Sequence, residues 1–275
     1  MKISFFIICI IVSYTIHAQN QIFIKSKNSN QAVSYANIWE SNKIFTSSDS
    51  LGSFYVDEKH LNSKFKISAV GYKTIDNIDV NDKKTIFLED EIVVLKEVTI
   101  SKILNSKNFK IGKIKNGDVG IVSEMNKKTG QIGKFFMNNS KEKLFLNKFK
   151  FKTLCSNKNR VVNILIYSVG NNGTPNEIIN DENIVCHLKK GHNTSEVDLS
   201  YLKIEFPVEG LFIVVDYIFI EQNKVYGETN KNWYFYEPSL DAVQTNQYTD
   251  TWYDDGNEWK KNNKYSISFQ LIVTN

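Results

Sequence analysis

The residues of this chain that could do chemistry are few and scattered. Cys186-His187, followed by His192, puts a thiolate and two imidazoles in one short stretch. Those ligand types hold a soft or borderline metal. On a strand, however, Cys186 and His187 point to opposite faces, and Gly191-His192 reads as the next turn, so chance placement is the better reading. Asp250, Asp254, Asp255, Asn257 and Glu258 form an acidic run around Gly256. Calcium takes about six to eight oxygens and is often held in loops of β-sandwiches, but this spacing does not match the helix–loop–helix calcium motif. Asp255-Gly256 is also a hairpin-turn signal. Calcium is therefore the one ion left open, and no other cofactor is implied. Asp216 stands inside the apolar run Val214-Val215-Asp216-Tyr217-Ile218. A carboxylate in a central strand is a candidate catalytic or binding group. By alternation it faces away from Ile213, Val215 and Tyr217, toward solvent or another domain, and no acid or base partner is near it in sequence. No His-Glu-x-x-His, no Gly-x-Ser-x-Gly around Ser195 or Ser200, no phosphate loop and no dinucleotide fingerprint occurs.

Aromatic residues are the other chemical resource. Trp233-Tyr234-Phe235-Tyr236, Trp252-Tyr253 and Trp259 gather three of the four tryptophans near the C-terminus. Flat aromatic faces with polar tips recur at binding surfaces and suit sugar rings. Trp233, Trp252, Tyr253 and Trp259 are the candidate ligand-contact residues, beside the plain alternative that they pack a core. On the core reading, alternation would bury Trp233 and Phe235 while Tyr234 and Tyr236 face out. The Asp255-Gly256 turn would then fold Trp252 back across Trp259.

The elements that position these residues are strands. The chain has 275 residues, enough for two ordinary domains, and 41% of them are hydrophobic. Val, Ile, Thr and aromatic residues are abundant and proline is scarce, which favours strands. Residues 1–18 read as a secretory signal: Lys2 is followed by an apolar run and then by Ile16-His17-Ala18, with cleavage expected before Gln19. Cys9 lies inside that run. The mature chain has no apolar stretch of membrane-spanning length. Its cysteines are Cys155 and Cys186. In an exported protein they either form one disulfide or remain two buried thiols on separate strands. The net charge of +4 is small and its lysines are dispersed, which argues against nucleic-acid binding.

Residues 19–100 form a first β-sandwich, with strands expected at 21–25, 36–40, 43–47, 53–56, 64–69, 73–78 and 85–88. Residues 101–130, rich in Lys, Asn and Gly, are a linker or an arm laid across the second domain. Ile111-Gly112, Asn116-Gly117-Asp118 and Thr129-Gly130 are expected to break up any regular element there. Residues 131–275 form a second β-sandwich. In it Lys148-Phe149-Lys150-Phe151-Lys152 reads as a half-buried strand whose outward lysines protect an edge. Arg160 to Val169 and Leu211 to Ile220 read as central strands, and Lys264 to Val273 as a closing strand. The fold class is all-β.

Two stretches carry a family resemblance. The strand Lys64-Phe65-Lys66-Ile67-Ser68-Ala69 ends in Val70-Gly71-Tyr72. It follows a strand–turn–strand around Asp49-Ser50-Leu51-Gly52 and precedes Leu95-Lys96-Glu97-Val98-Thr99-Ile100. That order resembles the carboxypeptidase-regulatory-like domain, a transthyretin-like sandwich common in exported bacterial envelope proteins. It departs from the family at Phe23-Ile24-Lys25, where the family usually has a glycine. The order from Val162-Asn163-Ile164-Leu165 through Asn172-Gly173-Thr174-Pro175 to Phe206-Pro207-Val208-Glu209-Gly210 is similar to the uncharacterised jelly-roll-like domains that often follow this module. The resemblance implies a signal-bearing envelope protein in the periplasm, at the outer membrane or outside the cell. It does not imply a zinc peptidase: Ser63 stands three after His60, and Lys190 three after His187, where such an enzyme needs Glu. The expected role is a non-catalytic binding or adaptor protein whose partner is an envelope protein or a glycan. The alternatives are a carbohydrate-binding accessory protein and a hydrolase, which would need a cleft with converging carboxylates.

Overall fold

The computed structural model describes residues 20–41, 43–91, 107–124, 130–230, 232–245, 249–254, 256 and 258–275. The signal segment, Leu95–Ile100, and residues Asp255 and Asn257 of the acidic run lie outside them. The architecture is all-β.

Simple alternation builds the N-terminal sandwich. Its strands are β1 (Asn20–Ser26), β2 (Asn37–Glu40), β3 (Lys43–Ser47), β4 (Ser53–Val56), β5 (Lys64–Ser68), β6 (Ile75–Asp79) and β7 (Thr85–Leu88). One sheet has the order β4-β1-β7 and the other β3-β2-β5-β6. Every second residue points inward, so Ile22 and Ile24, Phe65 and Ile67, and Ile86 and Leu88 fill one core. The β3–β4 turn is held by Asp49, whose Oδ1 accepts from the amides of Leu51 and Ser53 at 2.9 and 2.8 Å. Gly52 closes it at φ +72°, and a Cβ there would stand 2.7 Å from the carbonyl oxygen of Ile24.

The C-terminal sandwich contains β8 (Asn108–Gly112), β9 (Val119–Glu124), β10 (Gln131–Phe136), β11 (Phe145–Cys155), β12 (Arg160–Val169), β13 (Pro175–Ile178), β14 (Ile184–Leu188) and β15 (Gly191–Asp198). It continues with β16 (Leu211–Tyr217), β17 (Lys224–Tyr226), β18 (Tyr234–Gln244), β19 (Thr251–Asp254), β20 (Trp259–Lys261), β21 (Tyr265–Ile267) and β22 (Phe269–Thr274). One sheet runs β13-β12-β16-β10-β19-β20, with β14 also on β12. The other runs β17-β18-β11-β22-β8, with β15 on β11 and β9 and β21 on β18. Phe149, Phe151 and Phe269 pack between them at centroid separations of 5.0–6.0 Å.

Several expectations change here. Residues 108–112 and 119–124 are strands, paired with β22 and β18, so much of the expected linker belongs to the second sandwich. Gly112 does not interrupt β8; it ends it at φ +80°. Strand β11 is not an edge: it pairs with β15, β22 and β18, and its outward Lys148 and Lys150 each reach Glu196 on β15 at 2.7 Å. The expected strand Lys264 to Val273 divides at Ser268. There β21 pairs with β18 and β22 with β11, while the Ser268 hydroxyl bonds both the amide and the carbonyl of Lys115. Strands β12 and β16 are central, as their apolar density suggested. All seven residues of β16 are buried because the core covers one face and the N-terminal sandwich approaches the other.

Cys155 and Cys186 are buried free thiols in one core, on strands of opposite sheets. Burial pushes Cys155 up to about 12, with Glu237 adding to the rise, and pushes Cys186 up to about 11. Thiols that hold their protons this firmly are poor nucleophiles. Thiol titration of unreduced protein is therefore expected to find two reactive thiols from residue 19 onward, and only after unfolding. Finding none in the unfolded state would establish a bridge.

The sandwiches meet directly. Ser47 N–H and Thr46 Oγ1 donate to the carbonyl of Phe219 at 3.1 and 3.0 Å, and Phe219 N–H returns to Ser47 Oγ at 3.0 Å. Ile44 of β3 is buried within the C-terminal core. The loop after β5 carries Val70 onto the outer face of the β12–β16 sheet. Next to it Gly71 adopts φ +78°, where a Cβ would stand 2.3 Å from the carbonyl oxygen of Asp181. Glycine is thus needed at the tip of the stretch that carries the family resemblance.

Candidate functional site

The contact between the sandwiches leaves a cleft of about 660 Å³. Its floor is the outer face of the β12–β16–β10–β19–β20 sheet, and its wall comes from β2 and the β5–β6 loop. Strand pairing organises the floor into rows. Asn163 stands opposite Asp216, Asp216 opposite Gln131, Gln131 opposite Asp254, and Asp254 opposite Trp259. One straight row of amides and carboxylates therefore ends in an indole. The next row is Leu165, Val214, Gly133, Trp252 and Lys261, and beyond it come Tyr167, Phe212 and Phe135. These apolar residues pack with Val70 into a separate small core.

Asp216 is 5% exposed. Burial pushes its carboxyl up to about 7; the amides of Gln131 and Asn37 oppose that rise, and the charge of Asp254 adds to it. Tyr167 donates its hydroxyl to Gln131 Oε1 at 3.0 Å, which turns the amide N–H₂ toward Asp216. Asn163 Nδ2 donates to Asn183 Oδ1 at 2.8 Å, and Asn183 Nδ2 to the carbonyl of Ser34 at 3.0 Å, so this relay ties the floor to the opposite sandwich. Asp216 Oδ1 and Asn163 Oδ1 are buried acceptors with no donor. A buried acceptor left so costs about 1–3 kcal/mol.

The four candidate aromatics separate. Trp259 lines the cleft, edge-on to Tyr167 at 5.6 Å. Trp252 is on the same face one row along, edge-on to Phe212 at 5.8 Å with Lys261 Nζ 5.6 Å from its ring centre. Tyr253, on the other face of β19, packs against the C-terminal core and borders a second cavity of about 680 Å³. Trp233 is 41% exposed beside Phe235, on the opposite sheet and away from the cleft.

Two expected geometries are corrected. Tyr236 and Tyr234 face the core and Trp233 does not: Tyr236 packs edge-on to Phe219 at 4.8 Å and Tyr234 edge-on to Tyr236 at 5.7 Å, while the register of β18 shifts between Tyr236 and Leu240. Trp252 is not directly opposite Trp259. Asp254 is, because four residues rather than two separate the partners Asp254 and Trp259 in the chain. Gly256 sits there at φ +92° with its amide donating to Asp254 Oδ1 at 2.9 Å.

The remaining candidates do not come together. Asp250 pairs with the buried Lys134 at 3.3 Å, while Asp254 enters the cleft row. Cys186 is buried and His187 exposed, on opposite faces as alternation required. His192 lies within β15 rather than in a turn, with Nε2 2.6 Å from Asp241 Oδ2. Among the described residues no group of three or more His, Cys, Asp and Glu is placed to hold a metal.

Asn163 and Gln131 had not been singled out. A signal existed: Asn163 interrupts the apolar run of β12 just as Asp216 interrupts that of β16. Two lone polar residues in two dense strands are what a shared polar site on a covered sheet face requires.

No family model matches the chain, and no curated protein matches it. A solved structure of infectious bursal disease virus, Gx strain, aligns with 87% of this chain and 52% of its own at 10% identity and a TM-score of 0.28. This chain spans about half the length of that one. So loose a likeness carries no argument. Among the described residues no helix is long and apolar enough to cross a membrane.

Proposed function

We propose that this chain is an exported, non-catalytic binding protein of the bacterial envelope, and that its ligand is a saccharide seated between the two sandwiches. The observation that carries this reading is the row Asn163–Asp216–Gln131–Asp254 ending at Trp259. Amides and carboxylates in register can each take a ring hydroxyl, and an indole at the end of the row offers a flat apolar face. Compartment and envelope role rest on the leader-like residues 1–18 and on the resemblance of residues 19–100 to the regulatory-like module.

Paired tryptophan variants test the cleft. Trp252→Ala removes an indole packed into the outer-face core and is expected to cost about 3 kcal/mol of stability. Trp259 packs half-buried against the same outer-face core and edge-on to Tyr167, so Trp259→Ala also costs stability, about 1–3 kcal/mol, and in the protein that remains folded it is expected to abolish retention on immobilised glycans. Unchanged retention by a folded Trp259→Ala protein would refute the cleft as the ligand site.

One observation favours hydrolysis as a second reading. Asp216 and Asp254 flank Gln131, so their strands are two spacings apart, about 9.5 Å. One carboxyl pushed up to about 7 and a second across the site is the arrangement an inverting glycosidase uses for acid and base. New reducing ends from a glycan incubated with the wild type, but not with Asp254→Asn, would establish it.

A further inference from the structure

The polar row says more about the ligand than that it bears hydroxyls. Asp216 Oδ1 and Asn163 Oδ1 are neighbours in the strand register, both are more than nine-tenths buried, both belong to residues that line the cleft, and neither receives a donor. With Asp216 ionised these two acceptors share no proton, and together they call for a group with several donors. A neutral hydroxyl brings one proton; an ammonium brings three and a positive charge.

The charge around the cleft points the same way. Asp216, Asp254, Glu91 and Glu177 line it, and among its described lining residues there is no Lys, Arg or His. This in a chain of net charge +4 is a local concentration of negative potential, focused by low-dielectric walls. Lysines around the cleft are engaged elsewhere: Lys73, between the lining residues Tyr72 and Thr74, pairs with Glu89 at 3.6 Å, Lys66 Nζ lies 4.8 Å from the ring centre of Trp39, and Lys261 Nζ 5.6 Å from that of Trp252. Trp259 adds an indole, the ring that best attracts a cation. A divalent metal fits less well. It needs about six oxygens, and no cluster of three or more acidic, imidazole or thiol groups is placed for one among the described residues.

We infer that the cleft floor binds the ammonium group of an amino sugar, with Asp216 Oδ1 and Asn163 Oδ1 accepting its N–H donors, Asp254 supplying a second charge and Trp259 bordering the ring. The inference rests on the saccharide reading for the body of the ligand and on the two bare acceptors for its charge.

Calorimetric titration of the full mature protein at neutral pH with glucosamine, N-acetylglucosamine, glucose and ethylamine separates these components. Glucosamine is expected to bind at least about ten-fold more tightly than its N-acetylated form or glucose, and Asp216→Asn to remove that preference while the variant melts as a folded protein. Equal or better binding of the neutral sugars would overturn the ammonium site and leave the saccharide cleft standing. A preference for glucosamine that survives in Asp216→Asn would also overturn the site. Binding of ethylamine alone, dependent on Asp216, would support the ammonium site and remove the sugar. Binding of none of the four would overturn both.

Discussion

Asp216→Asn is expected to make the protein more stable at about pH 8, not less. The carboxyl of Asp216 lies near 3.8 in an unfolded chain and is pushed up to about 7 in the fold, first by burial and further by Asp254, with Gln131 and Asn37 opposing. The folded state therefore holds this proton more tightly than the unfolded state does. Its contribution is fully present below the unfolded value and is lost as pH rises through the folded one, so burying the ionised form is a penalty above about pH 7. The shift bounds that penalty at about 4 kcal/mol. Asparagine has nearly the same shape, carries no charge and brings an N–H₂ to the bare oxygen of Asn163. Urea unfolding at about pH 5 and pH 8 measures the effect: the wild type should weaken between the two and the variant should largely close the gap. A variant less stable than the wild type at the higher pH would mean that Asp216 is a satisfied structural carboxylate. A residue that destabilises the free protein while standing in a cleft is the usual mark of a site kept for its ligand.

Removing the carboxylate of Glu237 is expected to cost about 3–5 kcal/mol. Glu237 Oε2 lies 2.6 Å from Arg160 Nε, and both side chains are well under one-tenth exposed. The same carboxylate accepts from the amide of Ser156 at 2.7 Å and its hydroxyl at 3.1 Å. It thereby joins the end of β11 and the middle of β18, neighbours in one sheet, to the start of β12 in the other. Glu237→Ala strands a guanidinium in the interior and leaves an amide without an acceptor. Exchanging both partners for methionine should recover most of the loss, because it removes the desolvation cost together with the attraction. Chemical denaturation of the single and double variants measures both. A loss below about 1 kcal/mol for Glu237→Ala would show that water reaches the guanidinium. Nothing in the sequence links these two residues, which lie 77 positions apart.

Local pattern was readable wherever one residue's neighbours along the chain decide its environment. Ile22 and Ile24, or Phe65 and Ile67, declare their inward face by period two, and the N-terminal strands came out close to their expected bounds. The pattern misleads where a long-range partner decides. Lys148 and Lys150 looked like edge protection, but they mark an interior strand whose neighbour β15 supplies Glu196. Trp233 and Phe235 looked like the buried pair of β18, but Tyr236 is the residue that packs inward, against Phe219 at 4.8 Å. Gly112 looked like a break, but pairing with β22 carries the strand up to it.

By itself the sequence determined the all-β class, the strands of residues 20–88, the centrality of β12 and β16 and the isolation of Cys186 from His187, because alternation and apolar density are properties of adjacent residues. It also made Asp216 conspicuous, as a charge that an apolar strand would not carry without reason. Only the tertiary structure decided what Asp216 belongs to. Gln131, Asn163, Asp216, Asp254 and Trp259 come from five strands whose order in the sheet, β12-β16-β10-β19-β20, is not their order in the chain. Hydrogen-bond register between those strands aligns the row, and the turn at Gly71 lets a second sandwich close over it, so the cleft exists only once both long-range choices are made.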